Sequence, residues 1–217
     1  MLKRTLSLLL ALQLLTAPAF AGGSQSTVNL NQVNGAAIAL GQNTGAASLP
    51  VSQSAPLTVT SNTATRQANA TPYGAGTLFG TSATAASNTV FSWAIAPGNG
   101  VPVSAIKAIM MTQTSGNAGV TLTNGSFRLH LYGQSPTIAS IDGASISTTL
   151  ASWCGTLDGT LINLGTDWSI AEMVPTFGWS VMCSPAGGSS TIYGLLEARA
   201  AFTPTSGEIT QVKLMVQ

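Results

Sequence analysis

Charge is what this sequence has least of. Only 6% of its 217 residues are Asp, Glu, Lys or Arg, against roughly 25% in ordinary soluble domains. The net charge is +1, and no basic patch supplies the electrostatic footprint of a nucleic-acid binder. There is one histidine, His130, so any Ser–His–Asp arrangement would have to use it. No Gly-x-Ser-x-Gly elbow accompanies it at a strand–helix turn. One His and two distant Cys lack the paired spacing of a zinc site. Asp142, Asp158 and Asp167 could bind calcium from loops, but no Asp-x-Asp-x-Asp-Gly run orders them. Glu172, Glu197 and Glu208 complete the carboxylates, and no spacing marks a pair facing across a glycosidase cleft. Gly187-Gly188-Ser189-Ser190 lacks the Lys-Ser/Thr companion of a phosphate loop. These absences predict a chain that is not an enzyme and that has no cofactor or metal site.

Apolar residues, by contrast, make up 45%, ample for a core. With so few charges the surface must be covered by Ser, Thr, Asn, Gln and Gly. A neutral polar surface suits a protein that packs against copies of itself or a larger scaffold, because a free monomer normally relies on charge for solubility. The N-terminus stands apart. Lys3 and Arg4 precede the apolar run Leu6 to Leu15, broken by Ser7 and Gln13, and Ala19-Phe20-Ala21 follows Pro18. A charged start, a short apolar stretch and a small-x-small site describe a secretory signal peptide over residues 1–21. The run is too short for a membrane span. The alternative is an uncleaved apolar helix used as an anchor or packed internally.

Residues 22–72 read as an extended arm. Gly, Ser, Asn, Gln and Ala dominate, and Thr27–Leu30, Ile38–Leu40 and Leu57–Thr60 are its β-prone pieces. Asn34-Gly35 is a tight-turn signal. From Tyr73 onward bulky residues appear, and residues 73–217 read as the folded domain. Val90–Ile95, Val103–Thr114, Val120–Thr123, Phe127–Tyr132, Thr191–Phe202 and Ile209–Val216 read as strands, with turn residues between them. Residues 138–150 fit a short strand or a short helix. In Phe127-Arg128-Leu129-His130-Leu131-Tyr132 the alternation is strict, with Arg128, His130 and Tyr132 on the polar face. That pattern describes a half-buried strand of an antiparallel sheet, and those three side chains are the expected interface residues. The fold expected is all-β, an antiparallel β-sandwich of jelly-roll type with an extended N-terminal arm.

Two stretches carry a family resemblance. Gln32-Val33-Asn34-Gly35-Ala36-Ala37-Ile38-Ala39-Leu40-Gly41, followed by Leu49-Pro50-Val51-Ser52, is similar to segments near the start of many tailed-bacteriophage virion proteins. Ser104-Ala105-Ile106-Lys107-Ala108-Ile109, Phe127 to Pro136, and Ile192-Tyr193-Gly194-Leu195-Leu196-Glu197-Ala198-Arg199 resemble phage minor structural proteins of the capsid-decoration or head-fibre kind. In that group the central strand usually ends in Phe-Asp, where this chain has Tyr132-Gly133. The resemblance implies a virion structural protein that decorates or stabilises a capsid surface. Its implied partners are the major capsid protein and sister subunits, as a trimer, with contact to the host surface. The signal-like segment favours the rival expectation, a secreted or periplasmic adhesin or pilus-like subunit binding a glycan or protein.

Cys154 and Cys183 carry an either/or. In an exported protein they form a disulfide closing about 28 residues. In the cytosol they are buried thiols. Trp153, Trp168 and Trp179 could form a sugar-stacking platform, but packing in a core or an interface is the expected role of such side chains.

Overall fold

The computed structural model describes residues 29–33, 36–39, 56–67, 72–95, 100–114, 125–148, 152–165, 167–204 and 206–217. The signal-like segment 1–21 and the expected strand at Val120–Thr123 lie outside the described residues. The chain divides into Met1–Gln53 and Ser54–Gln217. In the first unit β1 (Asn29–Val33) pairs antiparallel with β2 (Ala36–Ala39), with Val33 opposite Ala36. The turn signal Asn34-Gly35 falls between them in sequence.

The second unit begins before the composition change at Tyr73. β3 (Leu57–Thr60) and β4 (Ala64–Thr65) are sheet strands, not parts of an arm. β5 (Thr77–Phe79), a short 3-10 turn at Ala85–Ser87, β6 (Phe91–Ala94) and the eleven-residue β7 (Val103–Gln113) follow. Then come β8 (Ser126–Tyr132), β9 (Trp153–Thr160), β10 (Ile162–Asn163) and β11 (Trp168–Pro175). β12 (Val181–Cys183), β13 (Thr191–Ala198) and β14 (Ile209–Val216) complete the unit.

Every pairing is antiparallel, and the sheet runs β3-β14-β7-β11-β9-β8-β13-β5. Three strands each take two successive neighbours along one side. β14 holds β3 and β4, β7 holds β11 and β12, and β13 holds β6 and β5. The sheet curls until β6 returns to β3 and β14. Asn62 fastens the β3 side of this seam. Asn62 Nδ2 donates to the Val90 carbonyl (3.0 Å), and its Oδ1 accepts from the Ser92 amide (2.8 Å). A primary amide thus stands in for a peptide unit where the backbone ladder stops.

Alternation decides what lies inside. From β7, β8, β11 and β14 come Ala108, Met110, Phe127, Leu129, Leu131, Ala171, Met173, Val212 and Leu214, all buried in one cluster with Phe91, Trp93, Leu157 and Leu196. Trp93 is fully enclosed and its indole N–H donates to the Val212 carbonyl (2.9 Å). Its ring lies so near Gly194 that a Cβ there would sit 2.7 Å from it, so the close approach needs glycine. A smaller cluster (Leu78, Tyr132, Leu195) lies on the other face of β13, packed by Val90, Ile138, Ile146 and Tyr193.

The stretch 138–148 is neither strand nor helix. Isolated bridges Ile138–Thr148 and Thr77–Ser145 hold it. Asn88 Nδ2 donates to the Ser140 carbonyl (3.0 Å), and Asp142 Oδ1 accepts from the Gly80 amide (3.0 Å).

Candidate functional site

The polar face of β8 meets charged residues from both neighbours. The register sets Arg128 opposite Asp158 of β9 and Glu197 of β13. Arg128 grips Asp158 with two bonds, Nε to Oδ1 at 2.7 Å and Nη2 to Oδ2 at 2.9 Å. Thr176 Oγ1 donates to Asp158 Oδ2 (3.0 Å), and the Thr156 hydroxyl lies 2.7 Å from that of Thr176. His130 Nε2 lies 2.6 Å from Glu197 Oε2, while Arg199 Nη1 donates to Glu197 Oε1 (2.8 Å).

Each acid on this face therefore faces a base. The Arg128 guanidinium holds the Asp158 carboxyl below its usual range. Burial pushes the Glu197 carboxyl up, but the bonds from His130 and Arg199 outweigh it and leave the group below its ordinary value. Burial lowers the His130 imidazole more than Glu197 raises it. A neutral imidazole facing a carboxylate carries its proton on Nε2 and donates it. The geometry is that of a cross-strand charge ladder, which fixes register and orientation among three strands.

Of the three expected interface residues, Arg128 and His130 are partly exposed and engaged in these pairs. Tyr132 is 1% exposed and belongs to the smaller apolar cluster. A register shift between Leu131 and Tyr132 and the cover of Ile138 and Ile146 remove it from the surface. Tyr132 is therefore a core residue, not an interface residue.

Cys154 and Cys183 are bonded to each other, with Cα atoms 5.1 Å apart. They join the start of β9 to the end of β12. Among the described residues, no group of three or more His, Cys, Asp or Glu could hold a metal ion.

Two features went unread in the sequence. The first is a buried ionic contact at the edge of the main core. The Arg66 side chain is enclosed, its Nε donates to the Tyr73 hydroxyl (2.7 Å), and its guanidinium lies over the Tyr73 ring (5.1 Å). The Tyr73 hydroxyl donates in turn to Asp142, which also lies 3.8 Å from Arg66 Nη2. Burial and the Asp142 bond hold the Tyr73 phenol far above its ordinary value. The second feature is the tryptophans. Only Trp93 packs in the core. Trp153 and Trp168 are half uncovered, and Trp179 is 96% exposed. Gly178, at positive φ, marks the turn that lifts Phe177 (85% exposed) and Trp179 out of the fold. That glycine between two aromatics was the available signal.

The exposed aromatics form a surface. Trp153, Phe177 and Met182 line a shallow pocket of about 250 Å³ with Cys154, Thr156, Ser180 and Val181. The disulfide lies in its wall. No family model matches this chain, and neither a curated protein nor a solved structure matches it.

Proposed function

We propose that this chain is a virion structural protein of tailed-bacteriophage type. It decorates or stabilises a capsid surface through contacts with sister subunits and with the capsid lattice. The observation that carries this reading is the aromatic turn Phe177-Gly178-Trp179. A tryptophan and a phenylalanine this exposed, beside half-exposed Trp153 and exposed Val174 and Met182, form an apolar patch of the kind that marks protein contact sites. Large aromatics dominate the energy of such contacts. The charge ladder supports the same reading. It pairs four of the thirteen charged residues with one another, leaving a surface suited to close association. Of the strands that carry the phage resemblance, β8 and β13 are paired neighbours in the sheet.

In this reading the subunits associate as trimers, and the N-terminal unit supplies strand-addition contacts to the capsid protein. Mass spectrometry of purified virions tests it. The chain is expected at a stoichiometric copy number relative to the capsid protein; its absence from the particles would sink the proposal.

The Cys154–Cys183 bond favours a second reading, an exported adhesin or pilus-like subunit, since such bonds persist in oxidising compartments. N-terminal sequencing of protein from a periplasmic fraction separates the two. A start at Gly22 supports export, and an intact Met1 in the cytosol overturns it.

A further inference from the structure

A different surface carries an inference that goes beyond assembly. On the outer face of β14, β7 and β11 the register lines up two rungs. Ile209, Gln113 and Trp168 lie abreast in one, and Gln211, Met111 and Ile170 in the next. Thr63, from the β3–β4 connection, borders them. All of these but Ile170, together with Thr112, line a concavity of about 290 Å³, at the small end of ligand pockets (roughly 300–1,000 Å³) and sized for about one sugar ring. Trp168 is 46% exposed. Gln211 Nε2 donates to the Ser61 carbonyl (3.2 Å), which holds its amide in place.

The chemistry of the lining selects a ligand class. No lining residue is charged. On the same face, Lys107 and Glu172 neutralise each other at 2.5 Å. A phosphate or carboxylate would therefore lose its water and find no counter-charge in the pocket. A purely apolar ligand would cover two amides and a threonine hydroxyl and leave them unpaired. A neutral pyranose satisfies both demands. It offers a face of C–H groups to an indole ring and a rim of hydroxyls, each donor and acceptor, to carboxamides that are likewise donor and acceptor. The platform and the amides stand on paired strands, so little ordering is required on binding.

We propose that this face binds a neutral hexopyranose unit of a glycan, with Trp168 as the stacking platform and Gln113 and Gln211 as the groups that read its hydroxyls. The inference holds whether the chain sits on a virion or is exported.

The test titrates the purified full chain with maltohexaose, cellohexaose, N-acetylchitohexaose and an α-mannan oligosaccharide, with polygalacturonate as the anionic control. Binding is followed by calorimetry and tryptophan fluorescence. Saturable binding of at least one neutral glycan is expected below about 10 mM, weakened about tenfold or more by Trp168→Ala, which corresponds to about 1.4 kcal/mol. Gln113→Ala weakens it several-fold, and Trp153→Ala leaves it unchanged. Gln113 is exposed, so its variant keeps the test valid if Trp168→Ala misfolds. Three results overturn the proposal: no neutral probe binds, only polygalacturonate binds, or binding survives both Trp168→Ala and Gln113→Ala. A wild-type oligomer that Trp168→Ala converts to monomers, without any glycan binding, overturns it in favour of a subunit interface.

Discussion

Arg66 shows how much one buried charge can demand of its neighbours. Its side chain is out of contact with water, and Tyr73 and Asp142 answer it. Removing one partner of such a contact takes away part of what compensates a buried charge. Asp142→Ala is expected to cost about 3–5 kcal/mol in a denaturant melt, with Asp142→Asn milder because the amide can still bond Tyr73. Acid acts on other residues. Asp158, Glu197 and His130 all bind protons less readily in the folded chain than their ordinary values imply. The unfolded chain thus takes up more protons, and stability falls as pH falls. The contribution is complete above pH 6.5, the ordinary imidazole value. It declines first through His130, then more steeply below 4.5 as the carboxylates protonate. Thermal melts between pH 8 and pH 3 should show both steps, and His130→Gln should remove the first and lessen the second, since His130 helps hold the Glu197 carboxyl down. Tyr73 and Tyr132, raised chiefly by burial, act at the other extreme and weaken the fold above pH 10.

Among the elements, the long alternating strands were the legible ones. Ile209–Val216 is a strand over the range its alternation predicts, and Phe127–Tyr132 and Val103–Thr114 fall within a residue of it. In each, the buried face is apolar but for Thr112 and Thr210, which bond each other across the ladder (3.2 Å), so burial and sequence period agree. From sequence Leu57–Thr60 reads as arm, because four residues with Thr at alternate positions carry little burial signal. Its place comes from Leu214 and Val216 across the ladder. Residues 138–148 were illegible for a different reason. Their conformation is set by Asn88, Gly80 and Arg66, which lie far away in sequence. The site was legible only in part. The ladder's strand could be read, but its partners Asp158 and Glu197 required the register, and tryptophan exposure required the turns. The cysteines stayed ambiguous because redox state, not spacing, decides their pairing. Their bond spans 29 positions, worth about 3–4 kcal/mol in the chain-entropy model. Dithiothreitol or Cys154→Ser should lower stability by that amount and loosen β12, read as faster amide exchange at Val181–Cys183.

For the whole molecule, the contrast is between a sealed interior and an unfinished exterior. Trp179→Ser should leave the melting temperature within about 2 °C, because an exposed side chain contributes little to the fold. On the proposed virion reading it should nonetheless abolish incorporation into particles, read by comparing mutant and wild-type virions. Unchanged incorporation would remove the aromatic turn from the assembly contact.

The Asn62 clasp sets an order of events in time. The β8–β9 pairing joins segments near in sequence, whereas β3 reaches β14 across most of the folded unit, with Leu57 opposite Val216. Contacts so distant along the chain carry the largest loop-closure entropy and slow folding. The clasp joins residues 28 and 30 positions apart, but Asn62 is held between β3 and β4 only once these pair with β14, so it is expected to contribute after the rate-limiting barrier. Asn62→Ala should then speed unfolding by about fivefold, equivalent to about 1 kcal/mol, and leave the refolding rate unchanged. Stopped-flow chevrons would show the shift on the unfolding limb alone; a slower refolding limb would place seam closure before the barrier. The seam is thus a latch on residence time in the folded state, fastened by the Asn62 amide beside the Trp93–Val212 bond.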